Sequence, residues 1–433
     1  MKSHYPQEMK DLAAFIDAAP SPSHACQGVV GRLSKLGFAA RPESEQWDNQ
    51  PGRYYCLRGD SVLAWIAPGK LPKGAGFRLI GAHTDSPNLR IKPQPDRARF
   101  GIHQLGVEIY GGALLNSWLD RDLGVSGKVW IEGKNGLEEK MFLLDKPIMR
   151  VPQLAIHLHR ELHTDGLKLN KQTQMVPIFG MGSGKAGAWR EFLANEMQIN
   201  PGKLMHWDAM LHDLTPSTVA GPGDEFFFAP RLDNLCSVWA GLRALERVCE
   251  PGDDLPVTPM LTCFDHEEVG SASRAGAQGS FLKDVVERIV ISRGGEGSDF
   301  HQAISQSFCV SSDMAHATHP NYPEKHDPEH SVLINAGPVI KLNANQRYAS
   351  EGMSVAWFEM ACRKAEVPYQ KWTMRSDLAC GSTIGPITAS GLGVTTVDVG
   401  GPQLSMHSAR EMCGSQDPPA MVDAFEAVLS GSV

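Results

Sequence analysis

The chain has no stretch approaching the roughly 18 consecutive apolar residues that a membrane-spanning helix needs, so a bilayer is not its expected setting. It has no basic excess either. Lys and Arg number 41 against 49 Asp and Glu, a net charge of −8 spread without long runs of one sign, and nucleic acid is excluded as an expected partner because phosphate binding wants a basic face. The nine cysteines are odd in number and scattered, without a Cys-x-x-Cys pair, so neither a disulfide framework nor a structural zinc knuckle is expected. The N-terminal segment is broken early by Glu8, Lys10 and Asp11 and does not read as a signal peptide. These absences together predict a cytoplasmic protein. There is also no internal repeat, no low-complexity tract and no Walker phosphate loop, which leaves nucleotide chemistry without support in the residues.

What is present is an ordinary globular composition, 42% hydrophobic and 21% charged, over 433 residues. That length supplies roughly two to three domain-sized units, each able to bury a core. Residues 11–37 carry apolar side chains at helical spacing on both sides of Pro20 and Pro22, which predicts two amphipathic helices joined by a turn. The period then changes: 53–69 alternates, and FRLIGAHT (77–84) is a short apolar run with a polar end, the pattern of a buried strand that delivers side chains to a site. Between 96 and 227 short alternating segments, many glycines and a long polar stretch predict an inserted, largely β domain. From Leu232 onward helical and strand patterns alternate again. The prediction is an α/β fold with a mainly parallel central sheet flanked by helices, built from 1–95 and 228–433 around the insertion at 96–227.

Five places bring His, Asp or Glu to the end of an apolar segment: GAHTDSPNLRIKP (81–93), PRLDNLCS (230–237), TCFDHEEVGSASRAGAQG (262–279), SSDMAHATHPNYPEKHDP (311–328) and QLSMHSARE (403–411). Singly, each reads as a cap or a satisfied polar group. Together they supply His83, Asp85, Asp233, Glu267, Glu268, Asp313 and His407, a nitrogen and oxygen donor set without thiolate that suits hydrolytic zinc, manganese or cobalt. The i, i+2 spacing of His83 and Asp85 puts both on one face of a strand, where the carboxylate can fix the tautomer of the histidine. In Glu267-Glu268 adjacent carboxylates repel unless a cation separates them or one is protonated, so one ligand and one proton shuttle is the economical division. His316, His319, His326 and His330 crowd one Pro- and Asp-rich loop and are read as pocket walls or solvated groups rather than ligands. Cys380-Gly381-Ser382-Thr383-Ile384-Gly385 has no evident base beside it and is read as a tight loop lining the cleft.

These segments, with Asn-Gln-Arg-Tyr-Ala (345–349) and Cys-Gly-Ser-Thr-Ile-Gly-Pro (380–386), occur in an order that resembles the aspartyl aminopeptidases, the M18 family of cytosolic metallopeptidases, over essentially the whole chain. The resemblance implies two divalent metal ions, zinc first and cobalt or manganese as alternatives. Asp233 would bridge them, His83 and Asp313 would complete one, Glu268 and His407 the other, and Glu267 would be the general base. It also implies substrate contacts from His157, Lys341 and Tyr348. His157 is expected to reach a neighbouring subunit's site, with a zinc-ligand role as the alternative. The implied substrates are peptides with an acidic N-terminal residue, paired with Lys341. The implied assembly is a dimer, through the inserted domain, and a dodecamer built from dimers. A broader or neutral specificity and a non-catalytic oligomeric scaffold are the alternatives.

Overall fold

A computed structural model describes residue 2 and residues 5–249 and 255–432. The amphipathic N-terminus folds as two helices, Tyr5–Asp17 and Pro22–Lys35, which bury Leu12, Phe15 and Ile16 from the first and Ala25, Val29 and Leu33 from the second. A nine-stranded sheet follows in the spatial order Ala39–Ala40, Gly52–Arg58, Ser61–Ala67, Thr258–Phe264, Phe77–His83, Phe308–Ser312, Thr395–Gly400, Val339–Leu342, Gln370–Thr373. Its four central strands, from Thr258–Phe264 to Thr395–Gly400, are mutually parallel, whereas Ser61–Ala67 and Val339–Leu342 join that block antiparallel. Every residue of Thr258–Phe264 is buried, as expected of a strand covered on both faces. The α/β class expected from the alternating pattern is the observed one.

The alternating segments before residue 214 form a second sheet, all antiparallel, in the order Gly136–Met149, Leu123–Gly133, Leu204–Asp213, Asn88–Arg99, Ile102–Tyr110, Ile178–Met181. Its own core includes Leu105, Val129, Trp189 and Leu193. The strands of this sheet run from Asn88 to Asp213. Pro93 and Pro95 fall in a bulge between Ile91 and Asp96 through which the strand continues. Thr218–Ala220 and Phe226–Ala229 belong instead to a third sheet, with Glu411–Gly414, Pro402–Leu404 and Ala315–His316. Strands of two to four residues are too short for a period to show in the sequence.

The helix Leu232–Cys249 lies against the central strands and carries Asp233 at its start. It comes close at Gly241, where a Cβ would stand 2.7 Å from Leu261 Cδ1 and 3.0 Å from Ile80 Cγ2. Gly241→Val should therefore destabilise the protein: overpacking costs about 1–3 kcal/mol, against a helix-propensity gain of well under ~1 kcal/mol. The expected readout is a lowered melting temperature; a variant melting at or above the wild type would show that the helix has room to move off the sheet.

Candidate active site

Three parallel neighbours, Thr258–Phe264, Phe77–His83 and Phe308–Ser312, end on the same edge of the sheet, the edge where open α/β sheets place ligands. His83 is the last residue of its strand and pairs with Phe264; Glu267 and Glu268 follow Phe264, and Asp313 follows Ser312. The helix start brings Asp233, and the turn between Pro402–Leu404 and Glu411–Gly414 brings His407. The two oxygens of Asp233 face different histidines: Oδ1 is 3.3 Å from His83 Nε2 and Oδ2 is 3.4 Å from His407 Nε2. His83 Nε2 also lies 3.6 Å from Asp313 Oδ1, and His407 Nε2 lies 3.4 Å from Glu268 Oε1. Two donor sets share Asp233, His83–Asp233–Asp313 and Asp233–Glu268–His407, each with its donor atoms within 4.8 Å of one another, and a third grouping, His83–Glu267–Glu268, meets the same limit. Glu267 stands beside the first, 3.8 Å from His83 Nε2.

The ligand side chains are left free because their main chains are held from behind. His83 Nδ1 is 3.0 Å from the carbonyl oxygen of Asp85, which only accepts, so Nδ1 carries a proton and Nε2 points into the cluster. His407 Nδ1 makes the same kind of bond, 3.1 Å, to the carbonyl of Gly112 in the inserted domain. The buried Asp85 carboxylate accepts the N–H groups of Glu267 and Glu268, both at 3.1 Å, and the Tyr110 hydroxyl at 2.8 Å. Its carboxylate also lies 3.3 Å from His83 Nδ1, so the expected contact is present alongside a larger task, holding the Glu267–Glu268 turn. Glu411, equally buried, accepts the Asp233 N–H at 3.1 Å on one oxygen and the His407 N–H at 2.6 Å on the other. Glu411 and Tyr110 were not singled out by the sequence. Glu411 stood in the quoted QLSMHSARE segment without a spacing that gave it a role, and Tyr110 comes from another domain.

The electrostatics call for a cation. Burial pushes the Glu267 carboxyl up to about 7, with Asp313, Asp233 and Asp85 adding to the effect against His83. Burial, then Asp233, pushes Glu268 well above the carboxylate range. Burial acts to lower His407, but the facing Asp233 and Glu268 outweigh it and carry the imidazole up to about 10; His83 is likewise raised well above its ordinary value by Glu267, Asp233 and Asp313. Protons thus sit where the donor atoms converge. Asp233 Oδ1 and Glu268 Oε1 are buried without a hydrogen-bond partner, which a metal ion would supply, so the residues fit the group expected of them.

A cleft of 250 Å³ opens beside the cluster, and Lys341 and Tyr348 line it with His316, Trp372, Met406 and the loop Gly381–Thr383. The buried Lys341 ammonium donates to Met314 O at 3.2 Å, lies 3.7 Å from Asp313 Oδ2 and stands 5.1 Å from the centre of the Tyr348 ring. Asp398, fully buried, binds both walls: it accepts Thr383 Oγ1 at 2.6 Å, Ala349 N at 2.6 Å and Ser311 Oγ at 2.7 Å. The loop reading holds for 380–383, whereas Ile384 and Gly385 open the helix Ile384–Leu392. Of the crowded histidines only His316 reaches the cleft wall; His326 Nε2 accepts the His319 N–H, and His330 pairs with Asp327. His157 is not brought to the cluster. It lies on the exposed 3₁₀ turn Ile156–Leu158 of the inserted domain, among the exposed side chains of Leu154, Ile156 and Leu158.

Among the described residues no helix is long and apolar enough to cross a membrane. Residues 15–428 match the family model described as Aminopeptidase I zinc metalloprotease (M18). The chain is 47% identical over 421 residues to a "Probable M18 family aminopeptidase 2" of Streptomyces coelicolor, covering 97% of this chain and 96% of that one. Among solved structures it resembles Ape4 in "Cryo-EM structure of the Ape4 and Nbr1 complex", at a TM-score of 0.95 and 36% identity, over 99% of this chain and 86% of that one. It also resembles the S. cerevisiae mApe1 dodecamer, at a TM-score of 0.85 and 28% identity, over 98% and 96%. A donor set of histidines and carboxylates at one sheet edge, within a fold shared end to end with these proteins, has one consistent assignment: the chain belongs to the M18 family of zinc metalloproteases and is a metallo-aminopeptidase.

Proposed function

We propose that the protein removes single N-terminal residues from peptides using two divalent ions, zinc foremost, and prefers Asp or Glu at the N-terminus. The observation that carries the two-ion reading is Asp233, whose two oxygens face the two histidines of separate donor sets. His83 and Asp313 complete one set, Glu268 and His407 the other. Ions held there polarise the scissile carbonyl and acidify water. Glu267 lies beside the first set, 3.8 Å from His83 Nε2, where its carboxylate would take a proton from water and return it to the departing amine. Asp85 and Glu411 hold the turns so that none of these groups must reorganise during turnover.

The acidic preference rests on Lys341. An ammonium with 3% of its side chain exposed, at the wall of a small cleft, needs an anion, and a substrate carboxylate meets that need with a charge-assisted hydrogen bond. Tyr348 closes the wall beside it. A dimer through the inserted domain, and a dodecamer of dimers, is the assembly in this reading. Leu154, Ile156 and Leu158 give His157 an apolar, exposed surround suited to a partner subunit, and a related protein is solved as a dodecamer. Convergence of all five ligands with Glu267 favours an enzyme over a scaffold. The cytoplasm is its proposed location, with every cysteine among the described residues free.

Glu267→Gln should keep the shape and the metal content but lower kcat by about 10²–10⁴-fold, because an amide takes no proton; retention of most activity would place the base elsewhere. Lys341→Ala should lower kcat/KM for an Asp-leading peptide far more than for a Leu-leading one. Equal losses on both would point to the broader specificity. Zinc binding to metal-free protein at pH 7 should release protons, since His83 and His407 are protonated there and ligate only when neutral. Apparent affinity should rise with pH towards about 10, the His407 value, and calorimetry in two buffers of different ionisation enthalpy reads the count.

A further inference from the structure

The two donor sets are not supported alike. His83 is oriented by the carbonyl of Asp85, two residues along the same chain segment, and Asp313 is fixed by its N–H donating to Val399 O at 2.9 Å in the central sheet. His407 is oriented from the other sheet. Its Nδ1 bonds Gly112 O, its own carbonyl accepts the Leu114 N–H at 2.9 Å, and Ser117 Oγ accepts the Ala409 N–H at 2.8 Å. The approach is tight. A Cβ at Gly112 would stand 3.1 Å from His407 Nδ1, and one at Gly111, where φ is +69°, would stand 3.1 Å from Glu268 Cβ. Tyr110, at the end of the same strand, holds the turn carrying Glu268 through Asp85.

We infer that the Gly111–Gly112 turn of the inserted domain is a positioning element for the Glu268–His407 ion, so that binding of this ion depends on docking of the inserted domain more directly than binding at His83–Asp313, which that domain reaches only through Tyr110 and Asp85. The inference rests on the two-ion reading. It follows from what a carbonyl behind a ligating imidazole does: it selects the tautomer, fixes the ring and raises the basicity of the nitrogen facing the metal. Two glycines against two ligands of the same ion make the contact one of shape as well as hydrogen bonding. By linkage, an ion bound there strengthens the docking of the inserted domain in turn.

The test is a stoichiometric titration of metal-free, full-length protein with Co²⁺, read by its visible absorption and by metal content after dialysis. Wild type should take up two equivalents; a single equivalent would overturn the two-ion reading itself, and the inference with it. Gly112→Ala keeps the carbonyl but sets a Cβ 3.1 Å from His407 Nδ1, so the ring must shift; one ion should stay at wild-type affinity and the other weaken by about 10-fold, the lower end of what disturbing a group that orients a ligand costs. Combined with His407→Ala it should still hold one ion, and combined with His83→Ala it should hold none tightly. Gly112→Ala binding both ions as wild type does would overturn the inference. Should that variant fail to fold, Ser117→Ala decides. It adds no atom near the ligands and should weaken the same ion by about 3–10-fold, as loss of one hydrogen bond does; unchanged binding of both ions would overturn the inference equally.

Discussion

Mutual repulsion among buried carboxylates is the constraint around which the rest of this structure is arranged. Asp233, Glu268 and Asp313 bring their oxygens within 4.8 Å of shared neighbours, with Glu267 alongside. At that spacing two like charges repel by roughly 3 kcal/mol for an effective dielectric of about 20. No packing of the surrounding core relieves it; only opposite charge does. Without an ion the relief comes from protons, on His83, His407 and the glutamates, which is why the imidazoles are driven up and the glutamates with them. The arrangement is unfavourable as bare protein and favourable as a metal site, so the fold must hold in place groups that would otherwise move apart.

It does so through the main chain. Asp85 and Glu411 never approach the cleft with a free oxygen; each spends its carboxylate on the N–H groups of residues that do. Burial, with Asp233 nearby, pushes Glu411 up to about 8, and a proton there would remove one of its two acceptor oxygens. A cation on Asp233 offsets that push. The support and the site are therefore coupled in both directions, ligands held by Glu411 and Glu411 kept ionised by what the ligands bind. His407, with φ of +67°, is fixed at an uncommon backbone conformation by the same bonds, Glu411 on its N–H and Gly112 on its ring.

How much of this was legible in the sequence follows from the range of each interaction. Long periodic segments declared themselves: the two N-terminal helices, the buried strand ending in His83 and the helix beginning near Asp233 all show the period of their element over enough residues to be read. His83, Glu268 and Asp313 were legible as candidates because each lies at or just past the end of an apolar run, where a parallel strand delivers side chains, whereas Asp233 opens a helix and His407 sits in a turn between short antiparallel strands. The third sheet was not, since pieces of two to four residues carry no period. Tyr110, Gly112, Asp398 and Glu411 escaped for a different reason. Their roles exist only through partners distant in the chain, Gly112 lying 295 residues from His407, and nothing local marks a residue whose task is to hold another segment.

Lys341 shows how metal binding and the proposed specificity would be linked by the same charges. In the free protein its ammonium is shared between Met314 O and the near oxygen of Asp313, 3.7 Å away. Asp313 is also a donor in the His83 set. When its charge is drawn towards an ion, less of it is left to balance the ammonium, and Lys341, its Nζ 5.1 Å from the centre of the Tyr348 ring, has no second carboxylate within ion-pair distance among the described residues. The pocket then holds a desolvated cation in search of an anion, the condition under which a substrate carboxylate contributes most. Asp398 fixes the walls on either side through Thr383 and Ala349, so the cleft meets that carboxylate already shaped rather than closing over it. On the proposed specificity, occupation of the metal site and demand for an acidic side chain would in this way be one electrostatic balance, set at Asp313.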